Sequence, residues 1–327
     1  MIYKCILSFV GLMAELAISQ AQNLVPNPSF EEYKELRCDL NVPILPPYEN
    51  AKTWFQAILT DWTLPTNIPS QILSTTLDKD CLANPTNPNL FIRGYPKHGN
   101  NMIALYLLSN YGIRANGRSY VQVKLKEKLI SGENYLAGGF YSFSDGIFGT
   151  NNLGMFFSTE AIGTDTTLML KYDPQINEEK VNSDPNVWKQ FGGCITSSGT
   201  EQYLTIGGFF EDKDTKVVQL VDGDIRGNDF AIYLVDSVFV EKVSKLIVPN
   251  VITPNGDMFN EKFIVEGLKK NQWAFQVYNR WGKSVYQVKN YENEWDGGGL
   301  SEGVYFYQLN HNVCKNLNYK GTLTIIH

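Results

Sequence analysis

From Asn23 to about Val243 the chain repeats one pattern, short runs of alternating apolar and polar residues separated by Gly, Asn, Asp and Pro. Val121, Val123 and Leu125 interleave with Gln122, Lys124 and Lys126, which puts the apolar side chains on one face of a strand and the polar ones on the other. Further aromatic-rich strands are predicted at Tyr135 to Phe143, Asn152 to Thr159, Tyr203 to Phe210 and Phe230 to Val240. Few stretches hold a helical apolar period for long. Many short strands with regular turn residues between them predict an all-β sandwich or barrel over residues 23–243.

Two segments break this rhythm. Asn41 to Asn50 contains Pro43, Pro46 and Pro47, and Ala83 to His98 contains Pro85, Pro88 and Pro96. Proline removes ladder donors, so both read as surface loops at one end of the sandwich. Whether they bind something or are insertions held by a bridge between Cys38 and Cys81 stays open at this point.

After a brief charged junction, Val243 to Ile247, a second β-region spans residues 248–327. Strands are predicted at Trp273 to Tyr278, Ser284 to Val288, Gly303 to Leu309 and Gly321 to Ile326, with Asn279 to Lys283 as a hairpin turn. Pro254-Asn255-Gly256-Asp257 and Trp295-Asp296-Gly297 are further turns, where Gly supplies positive φ and Asn and Asp satisfy turn amides. A small second sandwich is the expected result.

Composition narrows the function. The net charge of −6 and the absence of a dense Lys/Arg run leave no basic surface for a phosphate backbone, so no nucleic-acid partner is expected. Residues 1–22 read as a secretory signal peptide. Lys4 precedes a mostly apolar run, and Ser19-Gln20-Ala21 places small residues where cleavage needs them. Cys5 leaves with that segment. Cys38, Cys81, Cys194 and Cys314 remain, an even number in an exported chain, with three pairings open. Cys38 and Cys81 are expected to bridge two long loops. Cys194 and Cys314 fall in different regions and are expected to stay unpaired.

Five C-terminal motifs in order, Pro249 to Asp257, Asn279 to Gly282, Trp295 to Gly297, Gly303 to Tyr307 and Lys320-Gly321, resemble the gliding-motility-associated C-terminal domain. The chain differs from that family in having Met258 where Gly is usual, Asn260-Glu261 where Asn-Asp is frequent, and His327 where Arg or Lys is usual. The resemblance implies delivery by the type IX secretion machinery at the outer membrane, with this domain as the sorting signal. Pro254, Asn255, Gly256, Asp257, Asn279, Arg280, Trp281, Gly282, Trp295, Asp296 and Gly297 carry the motif. Arg280, Trp281 and Trp295 are expected to serve core and turn packing.

The start and finish of the first region, Asn23 to Glu31 and Ile232 to Val240, resemble galactose-binding-like jelly rolls, which include many carbohydrate-binding modules. On the last strand Asp236 shares parity with Phe230, Ile232, Leu234, Val238 and Val240, and a carboxylate on an apolar face needs a partner. The resemblance implies that Glu31 and Asp236 hold a structural Ca²⁺. The other reading is a strand-end carboxylate bonded to backbone amides or a Lys. Glycan binding needs flat aromatic faces beside polar groups. Trp54, Tyr95, Tyr106 and Tyr111 are the candidates, with Tyr141 and loop residues Arg93, Asn100 and Asn101, while Trp62 and Trp188 are expected to pack inside.

Only three His remain beyond the leader, and no hydrolase elbow, HExxH or phosphate loop occurs. Acids such as Asp212 and Asp214 lie in polar turn-like stretches. The expectation is a non-catalytic surface or secreted binding or adhesion protein. A purely structural envelope or matrix component is the alternative, and a polysaccharide hydrolase comes third.

Overall fold

The computed structural model describes residues 22–36, 38, 51–81, 83–87, 92–109, 116–146, 148–164, 169–220 and 230–327. Residues 1–21, the predicted loop over 41–50 and Tyr111 lie outside the described residues.

The fold is all-β. In chain order the first strands are β1 (Trp62–Thr63), β2 (Gln71–Ser74), β3 (Asn101–Ser109), β4 (Tyr120–Lys124), β5 (Asn134–Gly146) and β6 (Phe148–Thr150). Then come β7 (Leu153–Ser158), β8 (Ile176–Glu178), β9 (Lys189–Thr196), β10 (Tyr203–Gly208), β11 (Val217–Gln219) and β12 (Phe230–Lys242). The C-terminal strands are β13 (Val251–Ile252), β14 (Trp273–Tyr278), β15 (Ser284–Val288), β16 (Gly303–His311) and β17 (Asn318–Ile325). A short helix, α1 (Ala51–Ile58), packs Phe55 and Ile58 into the core. Eight residues are too few for a helical period to stand out against the surrounding strands.

Two five-stranded sheets form the N-terminal sandwich, ordered β1-β4-β10-β7-β8 and β2-β3-β12-β5-β9. They share one core. The first sheet contributes Val121, Val123, Met155, Phe157, Leu204 and Ile206, the second Ile103, Leu105, Ala137, Tyr233 and Val235. Alternation along each strand is what sends these side chains inward.

β12 departs from simple alternation. Its ladder with β5 shifts between Asp236 and Phe239, and Ser237 takes φ +52°. Before this bulge Phe230, Ile232 and Leu234 lie in a separate outer cluster with Leu73, Ile92 and Met102. After it Val238 and Val240 belong to the main core. The parity expected to run unbroken through Asp236 therefore switches faces there, because a bulge inserts an unpaired residue. The freed backbone meets residues 24–28: Val238 N–H donates to the Pro28 carbonyl at 2.8 Å and Leu24 N–H to that of Val240 at 2.8 Å.

The C-terminal strands make one sheet, β13-β17-β16-β14-β15, with β13 parallel to β17. Trp273, Phe275, Val277, Leu309, Leu323 and Ile325 face a second core. Loop residues Phe263, Val265, Tyr291 and Trp295 close it, so loops build the second layer of this small sandwich. The junction is packed rather than free, because Val243 and Leu246 are buried in that core.

Cys38 is bonded to Cys81, stapling the segment before α1 to the loop after β2. Cys194 and Cys314 are bonded as well, with Cα atoms 5.0 Å apart, which corrects the expectation that they stay unpaired. That expectation treated the two regions as spatially unrelated. β9 is an edge strand, and its Cys194 packs directly against the C-terminal core.

Candidate functional site

The outward face of the first sheet carries a cross-strand row in which Thr205 stands between Gln122 and Phe156. Gln122 grips the segment after β7 at both ends of its amide: Nε2 donates to the Ile162 carbonyl at 2.9 Å and Oε1 accepts Ile162 N–H at 2.8 Å. The Tyr120 hydroxyl accepts Leu170 N–H at 3.0 Å and donates to the Gly208 carbonyl. Burial keeps that phenol protonated far above neutral pH, against the pull of the Leu170 amide and the Arg118 charge. These anchors hold the segment across the sheet and leave an open cleft of about 730 Å³, lined by Phe156, Ser158, Glu160, Ile162, Lys171 and Tyr172 among others.

Phe156 and Tyr172 stack with ring centroids 4.6 Å apart and planes 22° from parallel, and Tyr172 remains 44% exposed. Next to Phe156 in the cross-strand row, Thr205 Oγ is buried with no hydrogen-bond partner. A flat aromatic pair beside hydroxyl, carboxylate and ammonium groups offers stacking and directed hydrogen bonds together. Sequence reasoning missed this pair, because Phe156 reads as one more strand aromatic and Tyr172 as a loop residue. A Tyr between Lys171 and Asp173 in a polar stretch was the available signal.

The expected aromatic candidates do not converge. Trp54 is exposed on α1. Tyr106 is half-buried on β3, edge-on to Phe230 at 6.4 Å. Tyr95 is exposed, and its carbonyl accepts the Trp188 indole N–H at 2.9 Å. Trp188 thus packs against the outer cluster of the second sheet, whereas Trp62 is in the main core. Tyr141 is buried and unavailable to a ligand.

Glu31 and Asp236 meet the same short segment. Glu31 Oε1 accepts Asn100 N–H and Asn101 N–H, both at 2.8 Å. Asp236 accepts His98 N–H at 2.8 Å and Ser237 N–H at 2.5 Å. Asp236 is wholly buried, and burial raises its pKa to about 6 against the pull of these amides. Asn101 donates to the Phe30 carbonyl at 2.9 Å, yet its own Oδ1 is buried without a partner. Both carboxylates are therefore bonded to backbone amides, and with the orphaned amide oxygen on the same segment they offer only oxygen donors, the type a hard divalent cation takes. Among the described residues no group of three His, Cys, Asp or Glu gathers.

Asp212, expected in a solvated turn, instead pairs with the buried Arg118 guanidinium at 2.7 Å. Arg118 also donates to the Gly117 and Phe210 carbonyls at 3.0 and 3.1 Å. This is a structural tie between the segment before β4 and the segment after β10.

In the C-terminal region the turn motifs are chains of side-chain-to-amide bonds. Asn255 Oδ1 accepts Asp257 N–H at 3.0 Å and Asp257 Oδ1 accepts Phe259 N–H at 2.8 Å, with Gly256 at φ +85° and Pro254 leading in. Met258, where the resembling family has Gly, sits at φ +71°, the conformation glycine tolerates best. Asn279 Oδ1 accepts Trp281 N–H and Lys283 N–H, both at 3.1 Å, and Gly282 at φ +78° completes the hairpin. Trp295 is buried in the core, and Asp296 Oδ1 caps Gly298 N–H at 3.0 Å next to Gly297. Trp281 differs from its expected packing role: it is 76% exposed, with the Arg280 guanidinium 4.6 Å over its ring. A hairpin tip has no core within reach.

No curated protein matches the chain. Among solved structures it is similar to the CBM22-1–GH10 modules of the N-terminal endo-1,4-beta-D-xylanase 10B of Clostridium thermocellum, solved with xylohexaose. The identity is 9%, covering 59% of this chain and 30% of that one, with a TM-score of 0.29, a likeness too distant to speak for fold or ligand. The turn motifs, the buried Trp295 and the closing strands all fall within residues 246–325, which match the family described as CHU_C Type IX secretion signal domain, so the chain carries a type IX secretion signal at its C-terminal end.

Proposed function

We propose that this is an exported, non-catalytic binding protein, in which the type IX signal delivers an N-terminal sandwich that takes a glycan in the cleft walled by Phe156 and Tyr172. The observation that carries the reading is that stacked pair, partly exposed and ringed by Ser158, Glu160 and Lys171, over a floor held by Gln122 and Tyr120. A pyranose presents C–H groups on one face and hydroxyls at its edge, and the cleft offers aromatic surface and polar groups in the same order. Isothermal titration of the purified chain with a panel of soluble polysaccharides tests it. Binding to at least one of them is expected, and Tyr172→Ala should weaken it about 5- to 30-fold, since an aromatic stacking face is worth on the order of 1–2 kcal/mol. No binding across the panel would end the reading. Deleting residues 246–327 should leave the chain inside a type IX-competent host, and undiminished surface display would count against the delivery role.

A structural Ca²⁺ at Glu31, Asp236 and Asn101 Oδ1 is part of the same proposal, supported by the orphaned amide oxygen and the buried carboxylate. It would tie the start of the chain to the β12 bulge. Metal analysis of the purified chain should find calcium, and a chelator should lower the melting temperature. Asp236→Asn should remove most of that chelator effect. An unchanged melting temperature with chelator refutes the site.

A further inference from the structure

The signal domain is joined to the N-terminal sandwich twice. One link is the backbone through Val243–Ile247, and the other is the Cys194–Cys314 bond, 120 residues apart in sequence. Around that bond the surfaces fit. Asn316 Nδ2 donates to Asn134 Oδ1 at 3.2 Å and to Thr196 Oγ at 3.1 Å. Lys269 pairs with Glu241 at 2.8 Å. Leu136 and Cys194 pack on the C-terminal core, and Leu246 N–H donates to the Tyr319 hydroxyl at 3.2 Å. Cys314 is wholly buried. A disulfide in this setting persists in an oxidising, extracytoplasmic compartment.

We propose that the type IX signal of this protein is a retained part of the exported molecule. Because of the second link, a peptidase cut at the junction alone does not shed it. Removing the signal takes two events, hydrolysis of one peptide bond and reduction of Cys194–Cys314. The sandwich and the signal therefore travel and stay as one covalently closed body. This inference rests on the export reading but not on any ligand of the sandwich.

The test uses the full chain with epitopes at both ends of the mature sequence and a specific protease site inserted between Ser244 and Lys245, where the exposed Lys245 gives access. The purified chain, and the chain displayed by a type IX-competent host, are cut and run on denaturing gels. Without reductant both epitopes should stay in one band, and with reductant they should separate. The Cys194→Ser/Cys314→Ser double variant should separate on cutting alone. Separation of the parent chain without reductant overturns the proposal. Should the insertion perturb folding, the unaltered exported chain is unfolded and alkylated without reduction. No label at Cys194 or Cys314 is expected, and labelling at either also overturns it. A chain that never reaches the surface would refute the export reading, while the purified arm still decides the link.

Discussion

His311, unremarked in the pattern of the chain, sets a pH limit on the C-terminal sheet. It ends β16 opposite Trp273 and is 2% exposed, with its ring edge-on to the indole at 4.8 Å. Nδ1 accepts Val313 N–H at 3.1 Å and Cys314 N–H at 3.0 Å, so the neutral ring carries its proton on Nε2. Protonation would put a third N–H where two already point, at a buried ring. Burial, helped by the nearby Lys315 ammonium, lowers the pKa from 6.5 to about 4. The unfolded chain takes up this proton near pH 6.5 and the folded chain only near pH 4. The stabilisation is therefore whole above pH 6.5, is lost as pH falls from 6.5 to about 4, and is absent below. A shift of that size corresponds to about 3 kcal/mol. Urea unfolding of the parent and of His311→Asn, whose Oδ1 can accept the same two amides, isolates the effect because titrating carboxylates are common to both. The parent should lose about 3 kcal/mol more than the variant between pH 7 and pH 4. Parallel pH profiles for the two proteins would refute the reasoning.

Two further substitutions test other parts of the fold. Arg118→Ala should destabilise by about 3 kcal/mol, because it strands the Asp212 carboxylate and leaves the Gly117 and Phe210 carbonyls without donors; a loss under about 1 kcal/mol in urea melts would show the tie to be dispensable. Met258→Gly should stabilise the C-terminal sheet by about 0.5–1 kcal/mol, since the side chain is 88% exposed and its backbone is left-handed; a drop in melting temperature would mean that the methionine makes contacts worth more than its strain.

Periodicity located strands well because alternation reports directly on which side of the chain meets water. Trp273–Tyr278 and Ser284–Val288 appear with the bounds that the alternation and the Asn279 turn predict, and the aromatic run at Tyr203 appears as β10. Period-two reasoning fails where the register slips. Nothing in the run Leu234 to Val240 announces that Ser237 turns to positive φ, so the inward side of β12 could not be followed past Asp236. Met258 was visible as a departure from the resembling family, but its meaning needed the dihedral. The cleft was illegible for another reason. Phe156 and Tyr172 come from a strand and a loop, and that loop is held over the sheet by bonds from distant positions, Gln122 and Tyr120 on β4, two strands from β7, among them.

The junction shows how a local reading of polarity conceals a tertiary fact. Val243-Ser244-Lys245-Leu246-Ile247 looks like a linker because two polar residues separate apolar ones, and linkers leave their flanking units free to move. Here the two buried residues, Val243 and Leu246, are the first pieces of the C-terminal core, and Ile247 bridges back to Glu266. A chain that enters a new core within three residues of leaving β12 brings that core against β9, the edge of the sheet it has just left. Once the edge strand and the β16–β17 turn face each other, Cys194 and Cys314 need only stand at matching heights to close. Pairing of cysteines far apart in sequence is thus decided by the length and burial of the connecting segment, and a junction this short already limits where the signal domain can sit.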